Sequence, residues 1–259
     1  MIKLDGFIIT PTMFPDKTSQ VWKLPQDLID HIKQKYSHLC VVWEFENEGE
    51  FMPVCQLAKL IRQINRGKNC NITLHCPYLP YGRQDKAVSN DSCFALHVFC
   101  ELVEVYFDRL STFDVHNPDF FTPEKMSLEV NNIMPVKELA DIVANADINF
   151  VVLPDKTAAL RYGGLIDLPH VAADKVREPL TGEITGISVP EIKNGLNILV
   201  ADDIADGAKT MIELAKIIGP ASNKLILYVS HGLFTKGTKI VYDSGYENIY
   251  TKDGLLKKP

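Results

Sequence analysis

The hydrophobic positions of this chain alternate between short apolar runs and apolar residues at helical spacing. Val54, Leu57, Ala58 and Ile61 recur at intervals of three and four, which predicts a helix, and Gly67 closes it. The same patterns predict helices over residues 94–105, 136–143 and 211–218, and strands over residues 39–43, 72–74, 110–115, 148–153, 198–200 and 225–229. Helices that alternate with short apolar strands favour an α/β fold, in which mostly parallel sheets carry helices on both faces.

The beginning and the middle of the chain depart from this alternation. Residues 7–9 and 19–24 flank Pro15-Asp16-Lys17, which predicts two strands joined by a turn. Residues 121–135 are polar and contain Pro123, which is typical of a domain boundary. We therefore predict two α/β domains, residues 1–130 and residues 131–259.

Composition narrows the functional class. The chain has 259 residues, 46% of them hydrophobic, and a formal charge of −6, which is typical of a globular protein and argues against a broad nucleic-acid surface. No signal-peptide core or membrane-spanning run is present, so the default expectation is a cytoplasmic protein. The cysteines lack CxxC pairs and mostly lie in apolar runs, which predicts reduced packing residues: Cys40, Cys55, Cys70, Cys76, Cys93 and Cys100.

The segment 201–210 carries the most chemical information. Asp202 and Asp203 follow a predicted buried strand, and small residues then lead into a predicted helix. The N–H groups and dipole at a helix amino terminus suit a phosphate, while carboxylates can accept hydrogen bonds from ribose hydroxyls or hold a metal through water. The segment therefore predicts a cradle for a phosphorylated sugar.

Three further segments are weak signals when each is taken alone. Arg83-Gln84-Asp85 can address phosphate oxygens and a purine edge, although a solvated surface turn is the commoner interpretation. Asp114 and His116, two apart at a strand end, share a face if extended and could meet a metal or a triphosphate; a histidine satisfied by a carbonyl is as plausible. The segment 174–177 could turn two cations toward a polyphosphate or be an exposed basic edge.

Two competing motifs are excluded. Gly207-Ala208-Lys209-Thr210 ends like a P-loop but lacks the earlier glycine that this motif requires. No GxGxxG follows the first strand, so the dinucleotide-binding fingerprint is absent.

In collinear order, these segments resemble the motifs of ribose-phosphate pyrophosphokinases, which make phosphoribosyl pyrophosphate. Residues 77–85, Pro-Tyr-Leu-Pro-Tyr-Gly-Arg-Gln-Asp, are similar to the family's Pro-Tyr-x-x-Tyr-Ala-Arg-Gln-Asp, and residues 202–210 resemble its Asp-Asp-Met-Ile-Asp-Thr-Gly-Gly-Thr loop. Residues 14–16, 114–116, 154–155, 174–177 and 230–234 resemble further blocks of the same family. The resemblance runs from about residue 14 to residue 237 and is strongest for the short, divergent members found in large phages.

The resemblance implies a fold of two phosphoribosyltransferase-like domains and a reaction that moves the diphosphoryl group of ATP to ribose 5-phosphate. It implies ATP contacts, partly across a subunit interface, from Phe14, Asp16, Arg83, Gln84, Asp85 and His116. It assigns ribose 5-phosphate to Asp202, Asp203, Asp206, Gly207, Ala208, Lys209 and Thr210. It assigns catalysis to Lys175, Arg177 and His116, and Mg²⁺ to His116 and Asp155. It also implies a homo-oligomer, in the cytoplasm of a host cell if a phage encodes the protein.

Several positions depart from the family pattern. Lys17-Thr18 replaces a Gly-Glu pair, Val176 removes one cation, and Lys156-Thr157 stands where the family has two glycines. Two alternatives stay open at this point. The first is a phosphoribosyltransferase that consumes phosphoribosyl pyrophosphate, and the second is a catalytically silent regulatory subunit of the same family.

Overall fold

The computed structural model describes residues 1–35, 37–66, 68–87, 89–122, 126–177 and 184–259, and for residues 175–177 and 184–185 it describes the backbone alone. Within these ranges the chain forms two compact units, Met1–Met134 and Pro135–Pro259. Each unit contains a six-stranded sheet. None of the described helices combines the length and hydrophobicity that crossing a bilayer requires.

The first unit is built on a mixed sheet in which four neighbouring strands are parallel. Its helices are α1 (Gln26–Gln34), α2 (Phe51–Ile64) and α3 (Ala95–Tyr106), and its strands are β1 (Ile2–Leu4), β2 (Phe7–Ile9), β3 (Thr12–Met13), β4 (Ser19–Gln20), β5 (His38–Trp43), β6 (Asn71–His75), β7 (Arg109–Phe113) and β8 (Glu129–Ile133). The sheet order is β2-β1-β5-β6-β7-β8, with β5 to β8 parallel and β1 antiparallel to both neighbours. The carboxyl ends of β5, β6 and β7 therefore lie along one edge.

Two features of the first unit differ from the sequence prediction. The strand over residues 7–9 pairs with β1, and the turn at residues 15–17 instead joins the two-residue strands β3 and β4. The reason is that Asp5-Gly6 provides a tighter turn with positive φ at both residues, which joins β1 to β2 directly. The polar stretch 121–135 contains β8, an edge strand whose outward residues are exposed, so its sequence lacks an apolar run.

The second unit is also built on a mostly parallel sheet. Its helices are α4 (Val136–Asn145), α5 (Lys156–Tyr162), α6 (Lys209–Ile218) and α7 (Lys239–Tyr242), and its strands are β9 (Phe150–Leu153), β10 (His170–Ala172), β11 (Asp174–Arg177), β12 (Ile184–Ser188), β13 (Leu196–Ala205), β14 (Ser222–Gly232), β15 (Asn248–Thr251) and β16 (Gly254–Leu255). The sheet order is β10-β9-β13-β14-β15-β16, and only β16 is antiparallel to its neighbour. Strands β11 and β12 form a separate antiparallel pair.

Alternating side chains of the central strand fill two cores on opposite faces of this second sheet. Ile198 and Val200 of β13 belong to the core that includes Leu214 of α6. Leu199, between them, belongs to the core that includes Leu139 of α4. Because successive strand residues point to opposite faces, a continuous apolar run is what a strand covered on both sides requires. The predicted α/β class, with mostly parallel sheets flanked by helices, is confirmed.

The cysteines are free thiols, as predicted. Cys55, Cys70, Cys76 and Cys100 are buried, whereas Cys93 is exposed. Burial raises the pKa of the Cys55 and Cys100 thiols to about 12, so these two groups are protonated, inert packing residues at neutral pH.

Candidate functional site

The first unit brings two of the predicted motifs together at the carboxyl edge of its sheet. Residues 76–85 follow β6, and residues 114–117 follow the neighbouring strand β7. The Asn117 side-chain amide donates to Asp85 Oδ2 at 2.7 Å, and the Phe113 N–H donates to the Pro77 carbonyl at 3.1 Å. Arg83-Gln84-Asp85 is therefore bonded to the loop that carries His116.

Asp114 corrects one detail of the prediction. The strand ends at Phe113, and Asp114 has a φ of 45°, in the left-handed region. An extended segment that turns Asp114 and His116 to one face was therefore the wrong geometry. Asp114 is fully buried and its N–H donates to the Ile133 carbonyl at 2.8 Å, whereas His116 is half-buried. The kink separates an inward structural carboxyl group from a more accessible imidazole.

Tyr81 anchors the loop between β6 and α3 to the segment that precedes α2. Its hydroxyl donates to Glu48 Oε1 at 2.7 Å, and burial together with the Glu48 carboxylate raises the pKa of Tyr81 to about 12. Its φ of 63° turns the chain sharply before Gly82. Arg83 and Gln84 follow this turn as exposed residues, so they can reach a ligand outside the sheet.

The turn between β3 and β4 carries Phe14 and Asp16. Phe14 is 37% exposed, and its ring lies 6.4 Å from the ring of Trp22. Asp16 Oδ1 accepts hydrogen bonds from the Thr18 N–H at 3.0 Å and from the Thr18 hydroxyl at 2.7 Å, and these bonds lower the pKa of Asp16. Thr18, which departs from the family pattern, thus engages the acid of its own turn.

The second unit collects its acids at the carboxyl edge of neighbouring parallel strands. Asp155 follows β9 after one residue, Pro154, and caps α5, because its Oδ1 accepts a hydrogen bond from the Ala158 N–H at 2.9 Å. Asp202 and Asp203 lie near the end of β13, which pairs with β9. His231, in register with Ile204, lies at the end of β14 on the other side of β13. The predicted sugar and metal residues of this unit thus share one edge.

The segment 206–210 forms a short connection from β13 to α6. The strand continues to Ala205 and the helix begins at Lys209, so only three residues connect them. Ala208, the residue before the helix, has a φ of 53° and a ψ of 19°. It stands where the family pattern has a glycine, and its left-handed conformation is the one that glycine adopts at little cost. Ala208 thus adopts a glycine-like conformation without being glycine.

We expect Ala208→Gly to leave the free energy of unfolding within about 0.5 kcal/mol of wild type. Relief of left-handed strain gains about 1–2 kcal/mol, and it offsets the lost buried methyl group and the greater freedom of glycine in the unfolded chain. The matched control is Ala215→Gly, in the interior of α6, where no strain exists and the loss is expected to be about 1.5–2 kcal/mol. Urea unfolding of the three proteins checks this, and equal losses in both variants would contradict it.

Asp202 has an unusual electrostatic environment. Burial, the adjacent Asp203 carboxylate and, more weakly, Asp155 raise the pKa of Asp202 well above its usual range. Its Oδ1 also accepts a hydrogen bond from the Asp203 N–H at 3.0 Å. Several acids held this closely favour a bound cation or a ligand rich in hydroxyl donors.

We expect Asp202→Asn to be more stable than wild type at pH 8 and equal to it near pH 3. In wild type, the unfolded chain ionises Asp202 near its ordinary pKa, about 3.9, whereas the folded chain holds the proton longer. The free energy of unfolding of wild type therefore falls as the pH rises, until the pH passes the raised pKa of Asp202. The Asp202→Asn variant does not show this fall, because asparagine does not ionise. Melting temperatures from pH 3 to 8 in a chelating buffer should separate by about 2–4 °C, equivalent to about 1 kcal/mol. Asp167→Asn, at an exposed site, is the control, and a pH-independent difference would contradict the prediction.

Two basic side chains contact acids at this edge, and the sequence predicted neither contact. Arg161 Nη1 of α5 lies 3.7 Å from Asp203 Oδ2, and both side chains are more than 90% buried. Lys156 Nζ, at the start of α5, lies 3.1 Å from Asp174 Oδ1, at the start of β11. In the sequence, these residues are recognisable only as two cations within six positions after Asp155. That spacing predicts no contact with Asp174 or Asp203, because the contacts depend on how α5 packs against β13.

Lys175 and Arg177 lie on β11, as a strand over this segment requires. Strand β11 follows β10 after Ala173, whose N–H donates to the Leu153 carbonyl at the end of β9. Its backbone therefore leaves the same sheet edge that carries Asp155. The register of β11 with β12 shifts between Val176 and Arg177. The side chains of both residues lie outside the described part of the chain.

Within the described ranges, no group of three His, Cys, Asp or Glu side chains is arranged to hold a metal ion. Mg²⁺ does not need such a group, because it keeps several waters and is commonly held by one or two carboxylates together with substrate phosphates. The oxygen donors near Asp202 fit this requirement. The imidazole of His116 suits Mg²⁺ less well as a direct ligand, since this cation prefers oxygen.

Comparison with curated proteins gives several relatives named ribose-phosphate pyrophosphokinase. The protein of Pyrococcus abyssi is 31% identical over 166 residues, which cover 62% of this chain and 57% of the relative. The protein of Thermococcus kodakarensis is 26% identical over 174 residues, 60% of its length, and that of Saccharolobus solfataricus is 22% identical over 234 residues, which cover 88% of this chain and 77% of the relative. The aligned part thus spans less than two thirds of the first two relatives.

Comparison with solved structures supports the fold described above. The phosphoribosylpyrophosphate synthetase of Mycobacterium smegmatis superposes with a TM-score of 0.75 over 94% of this chain and 79% of that one. Because the sequence identity is 16%, this similarity concerns the fold alone. No protein-family model matches the chain. Taken with the collinear motifs, these sequence relatives confirm the predicted resemblance to the ribose-phosphate pyrophosphokinases.

Proposed function

We propose that the protein transfers the diphosphoryl group of ATP to the anomeric hydroxyl of ribose 5-phosphate, which gives 5-phosphoribosyl 1-pyrophosphate and AMP. The hydrogen bond from Asn117 to Asp85 carries the proposal, because it joins the Arg83-Gln84-Asp85 segment to the His116 loop in one unit. A phosphoribosyltransferase has no ATP to bind and no need for this pair of motifs. The ATP residues belong to the first unit and the sugar residues to the second.

The sugar half of the proposal is supported by the carboxyl edge of the second sheet. Asp202 and Asp203 offer acceptors to the two ribose hydroxyls, and residues 206–210 offer N–H groups of the first turn of α6 to the 5-phosphate. The dipole of α6 favours the negative charge there. Asp206 is tied by the Thr235 hydroxyl at 2.5 Å, which holds the beginning of the loop in place.

The chemical step requires the anomeric oxygen to attack the β-phosphorus of ATP while AMP leaves. Mg²⁺, when bound, would neutralise charge on the phosphate oxygens, and Asp155 would help to hold it. The protein has mainly to align the attacking anomeric oxygen with the oxygen of the departing AMP, and to stabilise the charge that develops between these two atoms. We assign that stabilisation to Lys175 and Arg177, with His116 on the triphosphate, on the strength of the family resemblance. A homo-oligomer and a cytoplasmic location belong to the same proposal.

The test is an incubation of purified protein with ribose 5-phosphate, ATP and Mg²⁺, followed by chromatography of the nucleotides. The proposal expects AMP and 5-phosphoribosyl 1-pyrophosphate in equal amounts, and no AMP when the sugar phosphate is omitted. Formation of a nucleotide from phosphoribosyl pyrophosphate and a free base would instead identify a phosphoribosyltransferase. Binding without either reaction would indicate a silent subunit. A panel of nucleoside triphosphates in the same assay tests the donor, since the turn that carries Asp16 differs from the family pattern.

A further inference from the structure

A turn that follows β14 is hydrogen-bonded to the last residue of β13 and to the first residue of the segment 206–210. The N–H groups of Leu233 and Phe234 both donate to the Ala205 carbonyl, at 2.9 and 3.1 Å. One residue later, the Thr235 hydroxyl donates to Asp206 Oδ1 at 2.5 Å. These three hydrogen bonds fix where the next residue, Lys236, leaves the turn.

The Lys236 side chain runs beside Gly207. Its Cε and Cδ atoms lie 3.8 and 4.0 Å from the position that a Cβ on Gly207 would occupy. The ammonium nitrogen is bonded to Cε, so it lies within about 1.5 Å of an atom that already borders the segment. Lys236 is exposed, and its charge therefore stays hydrated until a ligand arrives. Lys239, three residues later, is engaged differently, because its Nζ pairs with Asp243 at 2.6 Å.

We infer that Lys236 is a phosphate-binding residue for the 5-phosphate of the sugar, a role that rests on the proposed function. The segment 206–210 presents a negative charge of its own at Asp206, which opposes a phosphate dianion at short range. Lys209, at the first position of α6, supplies one positive charge, and Lys236 supplies a second from a different turn. Two cations also offset the replacement of glycines in this segment, which reduces how closely a phosphate can approach the backbone.

The inference assigns Lys236 to recognition of the phosphate rather than to the transfer step. The 5-phosphate does not change its charge during transfer to the anomeric oxygen, so a cation there contributes equally to ground state and transition state. Loss of Lys236 should therefore raise the KM and Kd for ribose 5-phosphate and leave kcat and the KM for ATP unchanged. Unphosphorylated ribose should bind wild type and variant equally.

The experiment compares Lys236→Met with wild type by calorimetric titration with ribose 5-phosphate and by steady-state kinetics. We expect the Kd to rise about tenfold, since charged hydrogen bonds to phosphate are worth about that factor. The affinity of Lys236→Met for ribose 5-phosphate should also fall less steeply with salt concentration than that of wild type. Lys236→Arg should retain most of the wild-type affinity. Lys216→Met removes the same charge from the last turn of α6, about 10 Å along the helix from Lys209, and should bind like wild type.

The outcomes separate this inference from the function on which it rests. A wild-type protein that neither binds ribose 5-phosphate nor forms AMP overturns both. A wild-type protein that does both, with a Lys236→Met variant of unchanged Kd, overturns the role of Lys236 alone. Equal losses in Lys236→Met and Lys216→Met would do the same, because they would show an effect of net charge.

Discussion

Replacing Lys175 by alanine is expected to lower kcat by about a hundredfold or more, equivalent to about 3 kcal/mol of transition-state stabilisation. The proposed step develops charge on the bridging oxygen only as the diphosphoryl group moves, so a cation that acts there is needed far more in the transition state than in the bound complex. The Kd for ribose 5-phosphate should accordingly change by less than about twofold. Single-turnover measurements with saturating ATP give the rate, and calorimetry gives the affinity.

The position of β11 makes this variant informative. Lys175 lies on a strand that leaves the sheet edge next to Asp155, and the start of the strand is held by the contact from Lys156 to Asp174 at 3.1 Å. The control is Lys193→Ala, which removes an exposed lysine between β12 and β13 and should keep the wild-type rate. Turnover that stays within about threefold of wild type in Lys175→Ala would remove this residue from the mechanism.

The central elements could be predicted because burial leaves a one-dimensional pattern. Strands β13 and β14 are covered on both faces, so every residue in their middle is apolar, and the run is visible in the sequence. Helix α2 buries one stripe, and its spacing of three and four shows it. Strand β8 could not be seen this way, since it is half-exposed at the edge of its sheet and carries two asparagines.

The candidate site was predictable where residues adjacent in sequence act together, and not where the fold brings them together. Asp202 and Asp203 are neighbours at a strand end, so their pairing was predictable from the sequence. Arg161 reaches Asp203 from α5, and Lys236 reaches Gly207 from the turn after β14, so neither carries a local signal. Asp114 shows a further limit: a single left-handed residue ends the strict alternation of an extended strand, and the sequence did not predict it.

The contact between Arg161 and Asp203 supports a second large effect. Arg161 Nη1 lies 3.7 Å from Asp203 Oδ2, with side-chain exposures of 7% and 8%. A carboxylate removed from water is costly unless a cation and hydrogen bonds compensate it. Arg161→Met keeps most of the side-chain length and removes the charge, so Asp203 stays buried without this cation. We expect the free energy of unfolding to fall by about 3–5 kcal/mol, measured by urea unfolding in the absence of ligands.

A double-mutant cycle distinguishes lost charge compensation from lost packing. Asp203→Asn removes the carboxylate, so the double variant Arg161→Met/Asp203→Asn should recover a large part of the stability that Arg161→Met loses. Without such recovery, the loss belongs to packing around α5 and the ion pair contributes little. Affinity should behave differently, because asparagine offers only one acceptor where the carboxylate offers two to the ribose hydroxyls. The double variant is therefore expected to fold well and to bind ribose 5-phosphate about tenfold or more weakly than wild type. Stability regained without affinity would show that the Asp203 carboxylate serves the sugar, because the uncharged pair then serves folding equally well.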